Sequence, residues 1–256
     1  MPTSKLISSL YLMSLILHFP YVFEASPRFY MCPRSGYFTS NDTYETNLKM
    51  LMGYLSHRTP RTGSSFTSMG KDQYTIYGLA LCRGSLSHVG CADCVSEARS
   101  QARSCCSNNK AATLWYDNCL FKYSNENFFG QLDLENVFFV ADSGNETVAV
   151  SLVKANKLLR ELAKKASKRP QMYATGNVKV DESRTLHGLV QCTRDLSRNN
   201  CTKCLDKLLK LQVQEQPSYC LEKEGSCKVF TSSCFVGYAT SVVKTKRKNM
   251  TAAFTN

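Results

Sequence analysis

The sequence predicts an α+β protein in which one disulfide-stabilised domain occurs twice in tandem. Three cysteines with the spacing C-x8-C-x2-C occur twice, first at Cys82, Cys91 and Cys94 and again at Cys192, Cys201 and Cys204. The flanking residues repeat as well, because residues 77–82 match residues 187–192 at an offset of 110. Each copy also has apolar residues at helical spacing, followed by short runs in which residue types alternate as in half-buried strands. Helices packed on one face of an antiparallel sheet, in duplicate, give this fold class.

Two helices are predicted in each copy. The first copy has an apolar stripe at i, i+3, i+4 and i+7 within residues 43–57, formed by Leu48, Leu51, Met52 and Leu55. The second copy has a longer stripe with basic residues on its other sides, formed by Leu152, Ala155, Leu159, Leu162, Ala163 and Ala166. A basic amphipathic helix can lie on a membrane, but an alanine-rich stripe without aromatic residues favours packing on a sheet. A second helix is predicted at each C-x2-C pair, with Asn200 as N-cap in the second copy and Gly90 as a weaker start in the first.

Short strands follow the second helix of each copy. Alternating residue types predict strands over residues 113–116 and 119–123 in the first copy and over residues 229–231 and 234–238 in the second. Residues 135–140 predict the strand that opens the second copy. The short connecting sequence favours a packed pair of domains, and a pair that swings on residues 142–144 is the alternative.

The N-terminus carries a secretory signal pattern over residues 1–25. Lys5 precedes an apolar run over residues 6–17, and the small residues Ala25 and Ser26 follow. The run is shorter than the about 20 apolar residues that cross a bilayer, and an anchored or buried N-terminal helix is the alternative. No later stretch is apolar enough to span a membrane, so the sequence predicts a secreted product without a transmembrane anchor.

Thirteen cysteines in 256 residues indicate an oxidising compartment and a disulfide framework. The C-x2-C pairs leave three interpretations open, namely structural disulfides, a redox site with a low-pKa thiolate at a helix N-terminus, and a structural zinc site. A third cysteine upstream of each pair favours disulfides, and only four histidines are present as further zinc ligands. We therefore expect no metal and no cofactor, and one thiol left over because the total is odd.

The chain is basic, with a net charge of +12 that is unevenly distributed. Residues 26–133 carry 11 basic against 8 acidic residues, whereas residues 134–256 carry 20 against 11. Such a surface favours anionic partners such as acidic cell-wall polysaccharide or membrane headgroups, and outside the cell it does not indicate nucleic acid. A merely solvated basic face is the alternative. The sequons at Asn41, Asn145 and Asn249 predict glycosylation, and the one at Asn200 is discounted because it lies inside the cysteine motif.

No recognisable catalytic site occurs in the sequence. The histidines outside the signal stand apart from any nucleophile motif, and they are His57, His88 and His187. Acidic residues near predicted strand ends do not by themselves indicate a glycosidase, which needs two carboxyl groups at a set separation. Trp115, the only tryptophan, is predicted in the core, with stacking on a sugar ring as the alternative. The sequence therefore predicts a protein that is not an enzyme.

Four motifs occur together in this chain. They are the doubled C-x8-C-x2-C, the Tyr-Gly-Leu or His-Gly-Leu run before it, the segment Trp115–Cys119 after it, and the segment Met172–Gly176 in the second copy. In combination they resemble the plant cysteine-rich repeat secretory protein family, whose unit is similar to the antifungal seed protein ginkbilobin. The same unit forms the outer part of cysteine-rich receptor-like kinases and plasmodesmata-located proteins, which continue into a transmembrane helix. The secreted subgroup therefore fits this chain best, and its location would be the apoplast.

The resemblance implies two helices on a five-stranded antiparallel sheet in each domain. Domain 1 is expected over residues 26–133, domain 2 over residues 134–245, and a basic tail over residues 246–256. The disulfides that the resemblance implies are Cys32–Cys106, Cys82–Cys91, Cys94–Cys119, Cys192–Cys201 and Cys204–Cys234. Cys220 and Cys227 then remain, to pair with each other, as we expect, or outside the domain. Cys105 is the expected free thiol.

The resemblance also implies where a sugar would bind. Ginkbilobin is similar to a lectin that contacts mannose through an asparagine, an arginine and a glutamate. The matching positions here hold Pro33, Thr113 and Ser124 in domain 1 and, for the last two, Lys228 and Ala239 in domain 2. None of the three residue types is retained, so the resemblance does not carry this site over to the chain.

Sequence and resemblance together predict a secreted, non-enzymatic recognition protein of the plant apoplast, related to defence or stress. The expected partner is an extracellular protein or a cell-wall polysaccharide. One alternative is an antifungal protein that acts through a sugar site or through its basic domain on membranes. The other is a thiol oxidoreductase that would use Cys91 and Cys94.

Overall fold

A computed structural model describes residues 27–142, 152–212 and 225–242 of the chain. The secretory signal pattern, the sequons at Asn145 and Asn249, Cys220 and the basic tail lie outside the described residues. Within them, the chain forms ten strands and four α-helices. The strands make two five-stranded antiparallel sheets, and two helices pack on each sheet. This architecture confirms the predicted fold class.

The first sheet, with its two helices, is called the first domain. Its strands are β1 (Phe29–Met31), β2 (Ser64–Met69), β3 (Ile76–Cys82), β4 (Ala112–Trp115) and β5 (Cys119–Ser124). They lie in the spatial order β1-β4-β5-β3-β2. Helices α1 (Thr43–Thr62) and α2 (His88–Cys105) cover one face, and a 3-10 turn at Asp72–Tyr74 precedes β3.

The second sheet, with its two helices, is called the second domain and repeats this plan. Its strands are β6 (Phe138–Asp142), β7 (Tyr173–Lys179), β8 (Arg184–Cys192), β9 (Ser226–Phe230) and β10 (Cys234–Val242). Their spatial order is β6-β9-β10-β8-β7, and the helices are α3 (Leu152–Ala166) and α4 (Arg198–Lys210). Element for element, this is the order of the first sheet. The opening strand β6 begins at Phe138, three residues later than predicted.

Helix α1 is longer than its apolar stripe predicts. The Asp42 side chain caps its start by accepting a hydrogen bond from the Glu45 backbone N–H at 2.7 Å. The helix passes the predicted end at residue 57 and includes Pro60 before it stops at Gly63. Gly63 adopts a φ of 74°, which favours glycine, and its N–H binds the Thr59 carbonyl at 2.7 Å. The last turn lacks the apolar residues of the stripe, so periodicity could not reveal it.

Serine side chains cap helices α2 and α4. The Ser87 hydroxyl accepts from the Gly90 backbone N–H at 3.1 Å, and the Ser197 hydroxyl accepts from the Asn200 backbone N–H at 3.1 Å. The predicted helix starts at Gly90 and Asn200 are therefore wrong by three residues. The physical reason is that a hydroxyl one turn earlier already satisfies the first free N–H groups of each helix.

Helix α3 packs its apolar stripe on the second sheet, as predicted. Of the predicted stripe, the buried residues are Ala155, Leu159, Leu162, Ala163 and Ala166, and Leu158 is buried beside them. The side chain of Leu152 lies outside the described ones. A Cβ atom added to Gly188 of β8 would lie 2.9 Å from side-chain carbons of both Leu158 and Leu162. In the first domain, a Cβ on Gly78 of β3 would lie 2.6 Å from Leu51 of α1. The glycine of the repeated Tyr-Gly-Leu or His-Gly-Leu run thus lets a helix approach its sheet closely.

Apolar side chains form three clusters. Two of them lie between the helices and the sheet of each domain. The third lies between the two sheets, on the faces that point away from the helices. Residues 125–137 connect the sheets, whereas residue 142 belongs to β6 inside the second sheet. Of the hinge considered at residues 142–144, residue 142 lies in this strand and residues 143 and 144 lie outside the described residues. The domains are packed together, as the short connection predicts.

Candidate functional site

Where both cysteines lie among the described residues, the structure joins five pairs of them. Their Cα–Cα distances are 5.5–6.1 Å, and the pairs are Cys32–Cys106, Cys82–Cys91, Cys94–Cys119, Cys192–Cys201 and Cys204–Cys234. In each domain, the first cysteine of the C-x2-C pair bonds to the end of the preceding strand and the second bonds to the last strand of the sheet. Because the two cysteines have different partners, neither pair forms the internal disulfide of a redox motif.

Two further described cysteines, Cys227 and Cys105, are not members of these five pairs. Cys227 is disulfide-bonded, and its expected partner Cys220 lies outside the described residues. Cys105, at the C-terminal end of α2, is a half-buried free thiol whose Sγ lies 3.8 Å from Gln101 Oε1. In the ranges 27–142, 152–212 and 225–242, no group of three or more His, Cys, Asp or Glu residues could hold a metal ion.

Aromatic and aliphatic side chains fill the space between the two sheets, and we call them the interface layer. Its buried members are Leu79, Leu81, Trp115, Leu120 and Phe230, and its partly buried members are Phe29, Met31, Phe128, Phe138, Val140 and Phe235. Phe29 of the first domain stacks on Phe138 of the second with ring centroids 4.6 Å apart, and Trp115 lies 5.0 Å from the same ring. Trp115 Nε1 donates to the Thr231 carbonyl at 3.1 Å. The core position predicted for Trp115 is confirmed. This residue lies in the apolar cluster between the two sheets, not in the core of one domain.

Polar side chains of the second domain bind the backbone of the first. The buried amide of Gln191 donates through Nε2 to the Cys82 carbonyl at 3.0 Å and accepts through Oε1 from the Gly84 N–H at 3.2 Å. Arg194 donates through Nη1 to the Thr62 carbonyl at 2.7 Å. Burial lowers the pKa of Arg194. These bonds fix the relative position of the two sheets.

Lys122 of β5 is surrounded by groups of the connection and of the second domain. Its Nζ lies 3.6 Å from Asp133 Oδ2, 3.4 Å from Ser232 Oγ and 4.5 Å from the centroid of the Phe128 ring. Burial lowers the pKa of Lys122, and the negative charge of Asp133 acts in the opposite direction. Ser232 also donates to the Asp133 carboxylate. The cluster ties the connecting segment to both sheets.

A cleft opens at one end of the interface layer, and we call it the inter-domain cleft. It has a volume of about 80 Å³ and is lined by residues of both domains. Apolar side chains form its inner wall, among them Trp115, Leu120, Val140, Leu189, Phe230 and Phe235. Polar side chains form its rim, and they are Arg28, Arg83, Asp117, Asn118 and Lys228.

Asp117 holds this rim together. Its carboxylate accepts from Arg28 Nε at 2.7 Å and from Lys228 Nζ at 3.0 Å, while Arg83 donates to its main-chain carbonyl. Burial acts to raise the pKa of Asp117, but the hydrogen bonds and positive charges of Arg28 and Lys228 outweigh it. The pKa of this carboxyl therefore lies below its ordinary value. Because Lys228 belongs to β9, Asp117 links the two domains at the mouth of the cleft.

The family described as salt stress response/antifungal matches residues 31–126 and 147–241. The two matched segments cover more than half of the chain, and each contains most of one sheet with its two helices. The chain belongs to this family.

Two relatives and one solved structure are similar to this chain over most of their length. The antimicrobial ginkbilobin-2-like protein of Castanea crenata is 43% identical over 242 residues, which cover 93% of this chain and 97% of that protein. The cysteine-rich repeat secretory protein 38 of Arabidopsis thaliana is 42% identical over 206 residues, which cover 79% of each. The tandem DUF26 ectodomain of the Arabidopsis thaliana receptor-like protein PDLP5 superposes with a TM-score of 0.66 at 25% identity, over 84% of this chain and 98% of that one.

These relatives confirm the predicted family and the predicted extracellular location. A relative named a secretory protein is similar to this chain in sequence, and a solved ectodomain is similar to it in fold. In the part of the chain that the structure describes, no helix combines the length and the apolar character that a membrane span requires.

In this family member, the positions that match the ginkbilobin mannose site lie largely on the packed faces of the sheets. Thr113 is 2% exposed and pairs across strands with Lys122 on the face that points to the second domain. Ser124 is half-buried on the same face, and Lys228 is bound to Asp117. Ala239 is exposed. The tandem arrangement uses this sheet face for domain packing, which agrees with the loss of the three sugar-contacting residue types.

Other predicted residues are dispersed over the surface. Asn41 is exposed just before α1 and has a φ of 65°, and its glycosylation stays a prediction. The discounted sequon residue Asn200 donates through Nδ2 to the Gly130 carbonyl at 3.0 Å. His57, His88 and His187 are exposed on different elements, and His187 Nε2 lies 2.8 Å from Ser241 Oγ.

The helices of the second domain present a basic surface, which we call the basic helical face. The exposed basic residues of α3 are Lys154, Lys157, Arg160, Lys164 and Lys165, and those of α4 are Arg198, Lys203 and Lys210. The same two helices contain two acidic residues, Glu161 and Asp206, which are also exposed. Among the described residues of the second half, this surface therefore carries a clear excess of positive charge, on the side of the domain that points away from the inter-domain cleft.

The residues that sequence reasoning missed are those that cross the interface, namely Gln191, Arg194, Lys122 and Asp117. A signal existed for one of them. In the repeated run before the cysteine, Gln191 occupies the position that Leu81 holds in the first copy. A polar residue at an apolar position of a buried strand indicates a specific hydrogen-bond partner.

Proposed function

We propose that this protein is a non-enzymatic recognition protein of the apoplast that acts in defence or stress responses, with an acidic cell-wall polysaccharide as its partner. The observation that supports this proposal most is the basic helical face, where eight exposed basic residues stand against two acidic ones. The face belongs to the second domain, and the interface layer holds that domain in a fixed position against the first.

The spacing of the charges fits a linear polyanion. Lys157, Arg160 and Lys164 are exposed at i, i+3 and i+7 on α3, so they lie on one side of the helix and span about 10 Å at roughly 1.5 Å per residue. The buried stripe of α3 occupies the other side and packs on the sheet. A polyanion contacts several such cations at once, whereas a neutral polymer gains no such attraction.

The experiment measures binding of the secreted, disulfide-bonded protein to polygalacturonate, with neutral dextran as the reference polymer. The triple variant K157Q/R160Q/K164Q is expected to bind polygalacturonate about tenfold more weakly, since each exposed charge pair contributes roughly 0.5 kcal/mol. The matched variant R58Q/R61Q/R99Q, on exposed positions of the first domain, is expected to bind like the parent protein. Raising the salt concentration should weaken binding by the parent more than by the triple variant.

Equal affinity for dextran and polygalacturonate, or unchanged affinity of the triple variant, would exclude the acidic polysaccharide as partner. An extracellular protein would then be the remaining partner class, and an ectodomain interaction screen with the glycosylated protein would identify it.

The disulfide arrangement supports a non-enzymatic role. Because Cys91 and Cys94 bond to different strands, we expect the native protein to titrate as a single reactive thiol, and Cys105→Ser should abolish that reaction. Two or more reactive thiols in the native protein would favour the oxidoreductase alternative.

Antimicrobial action is a second candidate, favoured by the 43% identity to the antimicrobial ginkbilobin-2-like protein. A fungal growth-inhibition assay tests it. Inhibition that disappears at moderate salt would indicate that the basic helical face acts through charge. Inhibition that free mannose reverses would indicate a sugar site. That result would contradict the expectation drawn from the absence of the three sugar-contacting residue types.

A further inference from the structure

We propose that the inter-domain cleft binds a small organic acid that has a compact apolar body and a single carboxylate. The inference goes beyond the proposed function, because the cleft lies between the sheets whereas the basic helical face covers the opposite side of the second domain. Each can therefore be tested without the other.

The inner wall of the cleft suits an apolar body. Trp115, Leu120 and Phe230 are at most 8% exposed. Because they are packed within the interface layer, the wall that they form exists before a ligand binds. Leu189 and Phe235 of the second domain complete the wall. Ligand sites of proteins are commonly clefts of this kind, apolar inside, polar at a few points, and located between domains.

The size of the cleft limits the ligand. Its volume is about 80 Å³, on a scale where one water molecule needs roughly 10–15 Å³. The cleft therefore accepts on the order of six water-sized groups, which corresponds to an alkyl chain of about five or six carbons. A sugar oligomer or a peptide does not fit.

The rim of the cleft supplies the carboxylate contact. Arg83 carries five N–H donors, and its Nη2 donates to the main-chain carbonyl of Asp117. Among the described residues, no carboxylate lies within ion-pair distance of the Arg83 guanidinium. A guanidinium with spare donors at the mouth of an apolar cleft selects a carboxylate, with which it forms charge-assisted and often bidentate hydrogen bonds. Arg28 and Lys228 add positive charge beside it while they hold Asp117.

The experiment titrates the full secreted protein with sodium hexanoate and, in parallel, with hexanamide, at constant ionic strength. The fluorescence of Trp115 reports on the cleft specifically, because it is the only tryptophan in the chain, and neither aliphatic probe absorbs at the excitation wavelength. We expect a saturable change with hexanoate, at least tenfold weaker binding of hexanamide, and the same dissociation constants by calorimetry.

Two variants localise the site. Arg83→Gln is expected to weaken hexanoate binding about tenfold and to leave hexanamide binding unchanged, whereas the control Arg99→Gln, on the exposed side of α2, should change neither. Val140→Phe fills the cleft and should abolish binding of both probes. The proposal is overturned if hexanoate gives no saturable signal by either method, if hexanamide binds as tightly as hexanoate, or if Arg83→Gln binds hexanoate like the parent.

Discussion

At the scale of single residues, the two domains are joined by polar side chains that reach across their boundary. Asp117 is the most connected of them, because its carboxylate binds Arg28 of the first domain and Lys228 of the second. Both cations lower the pKa of Asp117 below its ordinary value, in spite of the opposing effect of burial. A group whose pKa is lowered in the folded state stabilises that state only while it is ionised.

Asp117→Asn should therefore reduce stability in a pH-dependent way. The contribution of Asp117 is present above the carboxyl pKa of the unfolded chain, about 3.9, and it is lost as the pH falls through the lower pKa of the folded protein. Since the side chain is 37% exposed, solvent screens the pair and the expected loss at pH 7 is about 1 kcal/mol or less. Chemical denaturation at pH 7 and at pH 2.5 measures it.

The control is Asp93→Asn, at an exposed position of α2, which should leave the free energy of unfolding unchanged at both pH values. A difference between Asp117→Asn and the parent that is as large at pH 2.5 as at pH 7 would show that the effect does not come from the ionised carboxylate.

The role of a single residue could be predicted only where its type differs from what its position in the sequence pattern leads one to expect. Thr231 accepts the Trp115 indole N–H across the domain boundary, yet nothing in a short Val-Phe-Thr run distinguishes that carbonyl from any other. The recurring spacing of the cysteines favours structural disulfides over a redox or zinc site, and the family resemblance implies which cysteines pair. The roles of Asp117 and Arg83 could not be predicted, because each acts through a neighbour that is distant in the sequence.

At the scale of elements, the repeated glycine before each cysteine motif sets the distance between helix and sheet. A Cβ atom on Gly78 would lie within 3.0 Å of three side-chain carbons of Leu51, which is fully buried. Gly188 meets Leu158 and Leu162 in the same manner. The two domains therefore need glycine at this position for a steric reason.

Gly78→Ala should destabilise the protein by about 1–3 kcal/mol, because overpacking forces helix α1 away from the sheet. Gly53→Ala is a matched control within α1, since nothing lies within 4 Å of its added Cβ. That control should instead stabilise the protein by about 0.5–1 kcal/mol, because alanine favours the helix. Denaturant unfolding with intact disulfides measures both changes, and a neutral Gly78→Ala would contradict the close approach.

Helices and strands could be predicted where packing on one face requires apolar residues at a regular spacing in the sequence. The stripe of α3 recurs on the buried face of the helix, and strand β5 begins at the predicted cysteine. The ends of elements could not be predicted, because capping depends on one hydrogen bond. Ser197 rather than Asn200 caps α4, and both residue types are good caps, so only the geometry decides between them.

At the scale of the whole molecule, the interface layer joins two small domains so that they pack as one unit. Each sheet has helices on one face, so its other face must be covered to avoid exposing residues such as Leu79 and Leu120. The sequence repeat predicts two domains, but it carries no information on which faces meet. The inter-domain cleft could not be predicted for the same reason, since its lining comes from residues of both domains.

The interface layer should make the two domains unfold together, and Phe29 tests this coupling. Its ring contacts Phe138 and Phe230 of the second domain at centroid distances of 4.6 and 5.7 Å, so Phe29→Ala removes contacts that cross the boundary. Calorimetry should show one thermal transition for the parent and two for Phe29→Ala. Phe38→Ala removes an equally half-buried ring that stacks on Tyr44 inside the first domain, and it should lower the melting temperature while the transition stays single. Two transitions in the parent protein would mean that the layer does not couple the domains.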